Sequence, residues 1–76
     1  MKWLVVFSPE ADLEAANALL AAHDAKAISQ SDVTPMENAE WTAPTEGPAN
    51  LPQELRRYPQ VLGVYPNSEM DYYGHR

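Results

Sequence analysis

The first apolar run of the chain, residues 2–7, limits its possible folds more than any other feature. It reads Lys-Trp-Leu-Val-Val-Phe and is β-branched and aromatic with almost no polar interruption. This pattern is typical of a strand that is buried on both faces at the centre of a sheet. Ser8 and Pro9 follow and predict a helix start, because a serine hydroxyl caps free N–H groups and proline suits the first helical position.

An amphipathic helix is predicted from this start to about His23. Its apolar stripe has three- and four-residue spacing and consists of Leu13, Ala16, Leu19, Leu20 and His23. The predicted solvent face carries Glu10, Glu14 and Asn17. Asp24 is expected to end the helix, at a position that glycine would occupy more easily.

The middle of the chain has weaker patterns. Residues 26–33 alternate imperfectly between apolar and polar types, which favours a mostly polar strand at a sheet edge. Residues 34–38 predict a turn, and residues 39–43 predict a short strand with one apolar face. Residues 44–48 contain two prolines and a glycine, and they predict a loop.

A second helix is predicted from Asn50. Asn50 and Gln53 match a capping box, and Arg56 and Arg57 suit the negative end of the helix dipole in the last turn. Pro59 stops the helix, since proline cannot continue it. The apolar stripe consists of Leu51, Leu55 and Tyr58.

The last element is a second buried strand over residues 61–65, which completes the order strand, helix, strand, strand, helix, strand. This is the order of the ferredoxin-like βαββαβ arrangement. The predicted fold class is therefore α+β, with an antiparallel sheet and two helices on one of its faces. Residues 1–66 form the predicted domain, and residues 67–76 form an extended C-terminal tail. An alternative is a βαβ unit with an irregular excursion over residues 29–49.

Composition excludes several classes of function. A chain of 76 residues has room for one domain, and without cysteine it has neither disulfides nor thiolate chemistry. Five basic residues against eleven acidic ones give a net charge of -6. We therefore expect no nucleic-acid binding, which relies on basic patches.

The apolar runs are also too short for a membrane protein. A spanning helix needs about 20 apolar residues, whereas the longest run here is Trp3 to Phe7. The same run is too short for the core of a secretory signal. We therefore expect a cytoplasmic protein without membrane association.

Enzymatic chemistry is not predicted. A catalytic triad needs a histidine, and we expect His23 to be a partly buried residue at a helix end and His75 to lie in the tail. Asp71 and His75 are spaced four apart with Glu69 nearby, but two ligands do not hold an ion tightly. We therefore predict no catalytic residues, no cofactor and no metal.

The C-terminal residues are the strongest candidate for a binding site. Tyr72, Tyr73, Gly74, His75 and Arg76 follow no core pattern, and tyrosine and arginine are frequent at the energetic centres of protein interfaces. Either this segment binds a protein partner, or Tyr72 and Tyr73 cover the open face of the sheet.

Three stretches of the sequence carry a resemblance to a known family. Residues 1–7 open with an apolar strand, residues 15–28 end in Ala-Lys-Ala-Ile, and residues 55–65 combine Leu-Arg-Arg-Tyr-Pro with Val-Leu-Gly-Val-Tyr. These stretches, about half of the chain, resemble the subtilisin-propeptide-like protease inhibitors, which are ferredoxin-like domains of about this size. Residues 39–43 and the proline-rich loop after them depart from the apolar third strand of that family.

The resemblance implies that the tail lies in the cleft of a subtilisin-like serine protease as an added strand. By position, Arg76 would fill the first specificity pocket, while Glu69 and Asp71 would meet N–H groups at a helix start of the protease. The residues upstream of Arg76 are His75, Gly74 and Tyr73. We thus predict a small non-enzymatic protein-interaction module. It resembles an inhibitor of this kind and would act through its C-terminal tail. The alternative is a ferredoxin-like assembly or regulatory module that forms homo-oligomers such as a dimer.

Overall fold

A computed structural model describes residues 1–67 of the chain as a sheet of four strands with two helices. The elements are β1 (Lys2–Phe7), α1 (Leu13–Ala22), β2 (Thr34–Pro35), β3 (Trp41–Glu46), α2 (Leu51–Leu55) and β4 (Val61–Pro66). The strands lie in the order β2-β3-β1-β4, and every neighbouring pair is antiparallel. The fold is therefore a small mixed α+β domain.

Strand β1 lies inside the sheet, between β3 and β4, as its apolar sequence predicts. Its side chains alternate: Trp3, Val5 and Phe7 are buried, whereas Leu4 and Val6 are only half-buried. The prediction of burial on both faces is therefore wrong for the second face. The buried side chains of the helices join the same core cluster, and they are Ala16, Leu19, Leu20, Leu51 and Leu55.

Helix α1 begins four residues later than the sequence predicts. Its N-cap is Asp12, whose carboxylate accepts a hydrogen bond from the backbone N–H of Ala15 at 2.7 Å. The backbone N–H of Ser8 donates to the carbonyl of Gln60 at 2.8 Å and thereby continues the contact between β1 and β4. The sheet thus uses the backbone of the residue that local sequence assigns to the helix.

The C-terminal end of α1 agrees with the sequence prediction. Asp24 has a left-handed φ of 61°. The N–H of Ala25 donates to the carbonyl of Leu20 at 2.8 Å, and the N–H of Asp24 donates to that of Ala21 at 3.4 Å. This pair of bonds is the Schellman motif, in which glycine is the usual left-handed residue.

Residues 26–33 do not form the predicted edge strand. The side-chain amide of Asn17 on α1 bonds to both backbone groups of Ile28: its oxygen accepts from the N–H at 2.8 Å, and its nitrogen donates to the carbonyl at 2.9 Å. Asn17 therefore takes the place of a neighbouring strand, and it is half-buried rather than on the predicted solvent face.

A short 3₁₀ helix, Gln30–Asp32, occupies the second half of this segment. The Asp32 carboxylate accepts bonds from the backbone N–H and the hydroxyl of Ser29, both at 3.0 Å. These two bonds hold the pKa of Asp32 below its ordinary value of 3.8. A local capping box therefore competes successfully with the weak strand pattern.

The hairpin of β2 and β3 lies a few residues beyond its predicted place. Thr34 and Pro35, expected in a turn, pair with Thr42 and Trp41, and β3 continues through the expected loop to Glu46. The connecting 3₁₀ segment, Glu37–Ala39, has left-handed φ angles at its second and third residues. Two successive left-handed residues are typical of the type I′ turns that close hairpins, and this turn sets the register.

Helix α2 is short, and its ends differ from the prediction. The side chain of Asn50 makes no capping hydrogen bond, so the expected capping box with Gln53 does not form. The helix ends at Leu55, which leaves Arg56 and Arg57 beyond its last turn. What holds α2 in place is the burial of its Leu51 and Leu55 side chains, both fully enclosed in the core.

Strand β4 is an edge strand rather than the predicted buried strand. It pairs with β1 alone among the described strands, and Leu62 and Tyr65 are 49% and 56% exposed. An apolar run thus stands at the border of the sheet, where the sequence pattern predicts an enclosed position. This difference determines where the candidate site lies.

Candidate interaction surface

The predicted partner-binding residues lie outside the described part of the chain. They are Glu69, Asp71, Tyr72, Tyr73, Gly74, His75 and Arg76. The described chain ends just after β4, where the N–H of Asn67 donates to the carbonyl of Lys2 at 3.0 Å. Residues 1–67 offer other surfaces that a partner could contact.

His23 has the position that the sequence predicts, at the C-cap of α1 and half-buried. Its Nε2 lies 2.7 Å from the Tyr58 hydroxyl oxygen, and its Nδ1 lies 3.6 Å from a Glu54 carboxylate oxygen. The rings of His23 and Tyr58 also meet edge to face, with centroids 5.5 Å apart. These contacts join the end of α1 to α2 and the residues after it.

Residues 1–67 hold no group of three side chains that could ligate a metal ion. Two described serines, Ser29 and Ser31, hydrogen-bond to each other at 2.8 Å. Within the same residues, neither helix has the length and apolar character that a bilayer-spanning segment needs.

One face of the sheet carries apolar side chains that the helices do not cover. The β1 residues on this face are Leu4 and Val6, and both are half-buried. Leu4 is paired with Pro44 of β3 on one side and with Tyr65 of β4 on the other. We call this surface the open face, and its apolar residues are Leu4, Val6, Pro44 and Tyr65.

The Tyr65 ring lies over Gly63 on this face. A Cβ atom built on Gly63 would come within 2.6 Å of the Tyr65 hydroxyl oxygen and within 2.7–2.8 Å of ring carbons. The Tyr65 ring can occupy this position because residue 63 is glycine and has no Cβ atom. An aromatic ring that covers a glycine of an edge strand in this way helps to fix the register of that strand.

A groove runs along the free edge of β4. Its walls are the β4 residues from Val61 to Tyr65 and, from the α2 side, Pro52 and Arg56. Its volume is about 310 Å³. We call it the β4 groove. It contains two of the four large apolar side chains that are exposed among the described residues, Leu62 and Tyr65.

The geometry of β4 directs backbone groups into this groove. Successive residues of an antiparallel strand point their N–H and C=O groups alternately toward and away from the partner. Since Asn67 bonds to β1, Tyr65 and Gly63 also face β1, and Val64 faces the free edge. The register shifts between Val6 and Phe7, which leaves Leu62 without a counterpart in β1. This bulge explains why the Leu62 side chain is exposed.

The two arginines beside the groove differ in their contacts. Arg57 lies 3.7 Å from a Glu54 carboxylate oxygen, three residues earlier in the chain. Arg56 lines the groove, and its guanidinium has no ion pair with any carboxylate of residues 1–67. Among residues 1–67, the groove therefore combines backbone groups that face outward from the sheet, apolar side chains and one positive charge without a carboxylate partner.

Comparisons with protein-family models, with curated proteins and with solved structures find nothing that matches this chain. The functional interpretation therefore depends on its own residues and geometry.

The sequence analysis missed the β4 groove, although two signals pointed to it. Gly63 interrupts an otherwise apolar strand, and an isolated strand glycine often marks a bulge. Pro66 lacks a backbone N–H and is found in edge strands or at strand ends. Neither signal shows which element lies beside the strand, so the position of Arg56 could not be inferred from them.

Proposed function

We propose that the protein is a small, non-enzymatic protein-interaction module that binds a folded protein partner against the open face of its sheet. The observation that carries the proposal is the apolar character of this face. Leu4 and Val6 remain half-buried, and Tyr65 is more than half exposed, in a chain with a net charge of -6. Contiguous apolar surface on an otherwise charged small protein is typical of interaction sites.

A ferredoxin-like arrangement is part of the proposal. Read from the β4 edge, the strand order is β4-β1-β3-β2, and all neighbours are antiparallel. One helix follows β1, and the other connects β3 to β4. These features support the βαββαβ arrangement, although β2 contains only two residues.

The surroundings of the described histidine favour binding over catalysis. The two ring nitrogens of His23 face Tyr58 and Glu54, which places the imidazole in a contact between helices. General acid–base work would need this ring within reach of a bound substrate. Four grooves beside residues 1–67 are lined by residues other than His23.

The partner class that we propose is a subtilisin-like serine protease, on the basis of the sequence resemblance. In this proposal the open face rests on the protease body, and the tail enters its cleft, with Arg76 in the first specificity pocket. The folded domain holds the tail in place, which lowers the ordering cost of binding.

Inhibition of a panel of serine proteases tests this proposal. Deletion of residues 72–76 should abolish inhibition and leave the melting temperature nearly unchanged, and Tyr73→Ala should weaken binding by roughly 2 kcal/mol, as loss of an aromatic anchor does. Pro44→Glu, on the open face, should also weaken inhibition, whereas Ala18→Glu, on the exposed side of α1, is the matched control. The inhibitor proposal would be refuted if the full-length protein inhibits no protease and the truncated form has a lower melting temperature.

A homo-oligomeric assembly module is the second candidate. The specific observation in its favour is that β2 and β4 both end the described sheet without a further strand. Closed symmetric dimers commonly use such self-complementary surfaces. Light scattering across a range of concentrations distinguishes the two candidates, because an assembly module gives a dimer mass and an inhibitor that acts as a single chain gives a monomer mass.

A further inference from the structure

We propose that the β4 groove binds an extended peptide segment carrying an acidic residue, which adds to the sheet as a strand beside β4. The inference rests on the proposed function in that both assign the chain to protein binding. It uses an adjoining surface, which shares Tyr65 with the open face. The open face holds a folded body, whereas the β4 groove holds a single extended strand.

The backbone of β4 supplies the first part of the argument. Val64 directs its N–H and C=O toward the free edge, and no described strand lies there. β4 carries no charged side chain, whereas proteins commonly protect an edge strand with lysine or another charge. A peptide strand can therefore pair with this edge through main-chain hydrogen bonds.

The usable part of the edge is short. The bulge at Leu62 interrupts the regular pattern at one end. Pro66, one alternation after Val64, offers no N–H at the other end. Two interruptions so close together leave room for one short strand, and they oppose continuous edge-to-edge pairing with another sheet. The groove thus fits a peptide of a few residues better than a long β-sheet interface.

Charge determines which peptide fits. Arg56 lines the groove and has no carboxylate partner in residues 1–67, whereas its neighbour Arg57 pairs with Glu54. A glutamate or aspartate of the peptide would supply that partner, because arginine and carboxylate form strong charge-assisted hydrogen bonds. Apolar peptide side chains would contact Leu62 and Tyr65, which are already exposed there.

A second copy of this chain fits the groove less well. If two copies paired through β4, the added strand would be another Val-Leu-Gly-Val-Tyr-Pro segment. That segment contains no carboxylate, so it would leave Arg56 without a partner. The charge argument therefore favours a different, acidic strand over self-association through this edge.

A display selection followed by NMR tests the inference on the full chain. Random nonapeptides displayed on phage are selected against the wild-type protein, and the enriched peptides are synthesised and titrated into ¹⁵N-labelled protein. We expect enrichment of acidic residues and of β-branched residues, with the largest shift changes at the amides of Leu62 and Val64. Arg56→Glu should weaken binding about tenfold, whereas Arg57→Glu, the matched control, should change it less.

Four results would overturn the inference. The selection could enrich no acidic peptides, the shift changes could map to the open face around Leu4 and Val6, or Arg56→Glu and Arg57→Glu could have equal effects. A dimer that forms through β4 and excludes the peptides would also overturn it. Peptide binding in the β4 groove without protease inhibition would support the inference and refute only the proposal that the protein inhibits a protease. Failure of the inference and failure of the inhibitor proposal are therefore distinguishable.

Discussion

Replacing Asp24 with glycine should stabilise the protein. Asp24 is exposed and has a φ of 61° in the Schellman motif that ends α1. Left-handed backbone costs an L-residue roughly 1–2 kcal/mol, less for aspartate, and costs glycine almost nothing. The carboxylate also lies at the negative end of the helix dipole, where an anion is unfavourable by about 0.3–1 kcal/mol. The greater freedom of glycine in the unfolded chain offsets part of both gains.

The net gain expected for Asp24→Gly is about 1 kcal/mol. For a domain of this size, 1 kcal/mol corresponds to an increase in melting temperature of roughly 4–8 °C. Asp24→Asn separates the two causes, because asparagine removes the charge and retains a Cβ atom. It should give about 0.3–0.5 kcal/mol, the share that belongs to the dipole.

Urea denaturation at neutral pH, followed by far-UV circular dichroism, measures these differences. The matched control is Ala18→Gly, six residues earlier on the exposed side of α1, which should destabilise the protein by about 0.5–1 kcal/mol. Substitution by glycine should therefore lower the free energy of unfolding inside α1, at Ala18, and raise it at Asp24, the residue after the C-cap of α1. If Asp24→Gly is no more stable than Asp24→Asn, the left-handed backbone is not the source of the gain, and the reasoning fails.

Three further predictions concern the core, the central segment and the acid side of the pH range. Leu20→Ala should cost about 2–5 kcal/mol, because Leu20 is fully buried and its loss leaves a cavity; a melting temperature within a degree of the parent would contradict this placement. Asn17→Ala should cost about 1–3 kcal/mol by leaving both backbone groups of Ile28 without their partner, and faster amide exchange at Ile28 should accompany it. Since bonds from Ser29 lower the pKa of Asp32 in the folded state, its contribution to stability is present above pH 3.8 and is lost as the pH falls through the folded value. An NMR titration in which this carboxyl has an ordinary or raised pKa would refute that assignment.

Several features of the fold follow from the sequence alone, because they depend on neighbours a few residues apart. The apolar run of β1 predicts an interior strand, and the position of Asp24 predicts the end of α1. Leu51 and Leu55 predict the buried side of α2. Hydrophobic periodicity and helix-end chemistry act over one or two turns, so the sequence predicts them wherever no contact with a distant residue competes.

At two places the local sequence pattern predicts one structure and tertiary contacts produce another. Local sequence favours Ser8 as the cap of α1, but the cap is Asp12, and the N–H of Ser8 bonds to Gln60 and so extends the sheet contact. Residues 26–33 could have formed a strand, but Asn17 bonds to the backbone of Ile28 in place of a strand neighbour. In both cases the deciding hydrogen bond joins residues far apart in the chain, and no pattern of spacing reveals it.

The candidate site shows the same division. The sequence determines that residues 61–65 form an apolar strand, because the β-branched residues favour extended backbone. It does not determine whether that strand is covered, since an enclosed strand and an exposed edge strand can have the same apolar composition. Only the strand order places β4 at the border, and only the packing of α2 places Arg56 beside it. The reason is physical: burial depends on which elements pack together, and that depends on the whole chain.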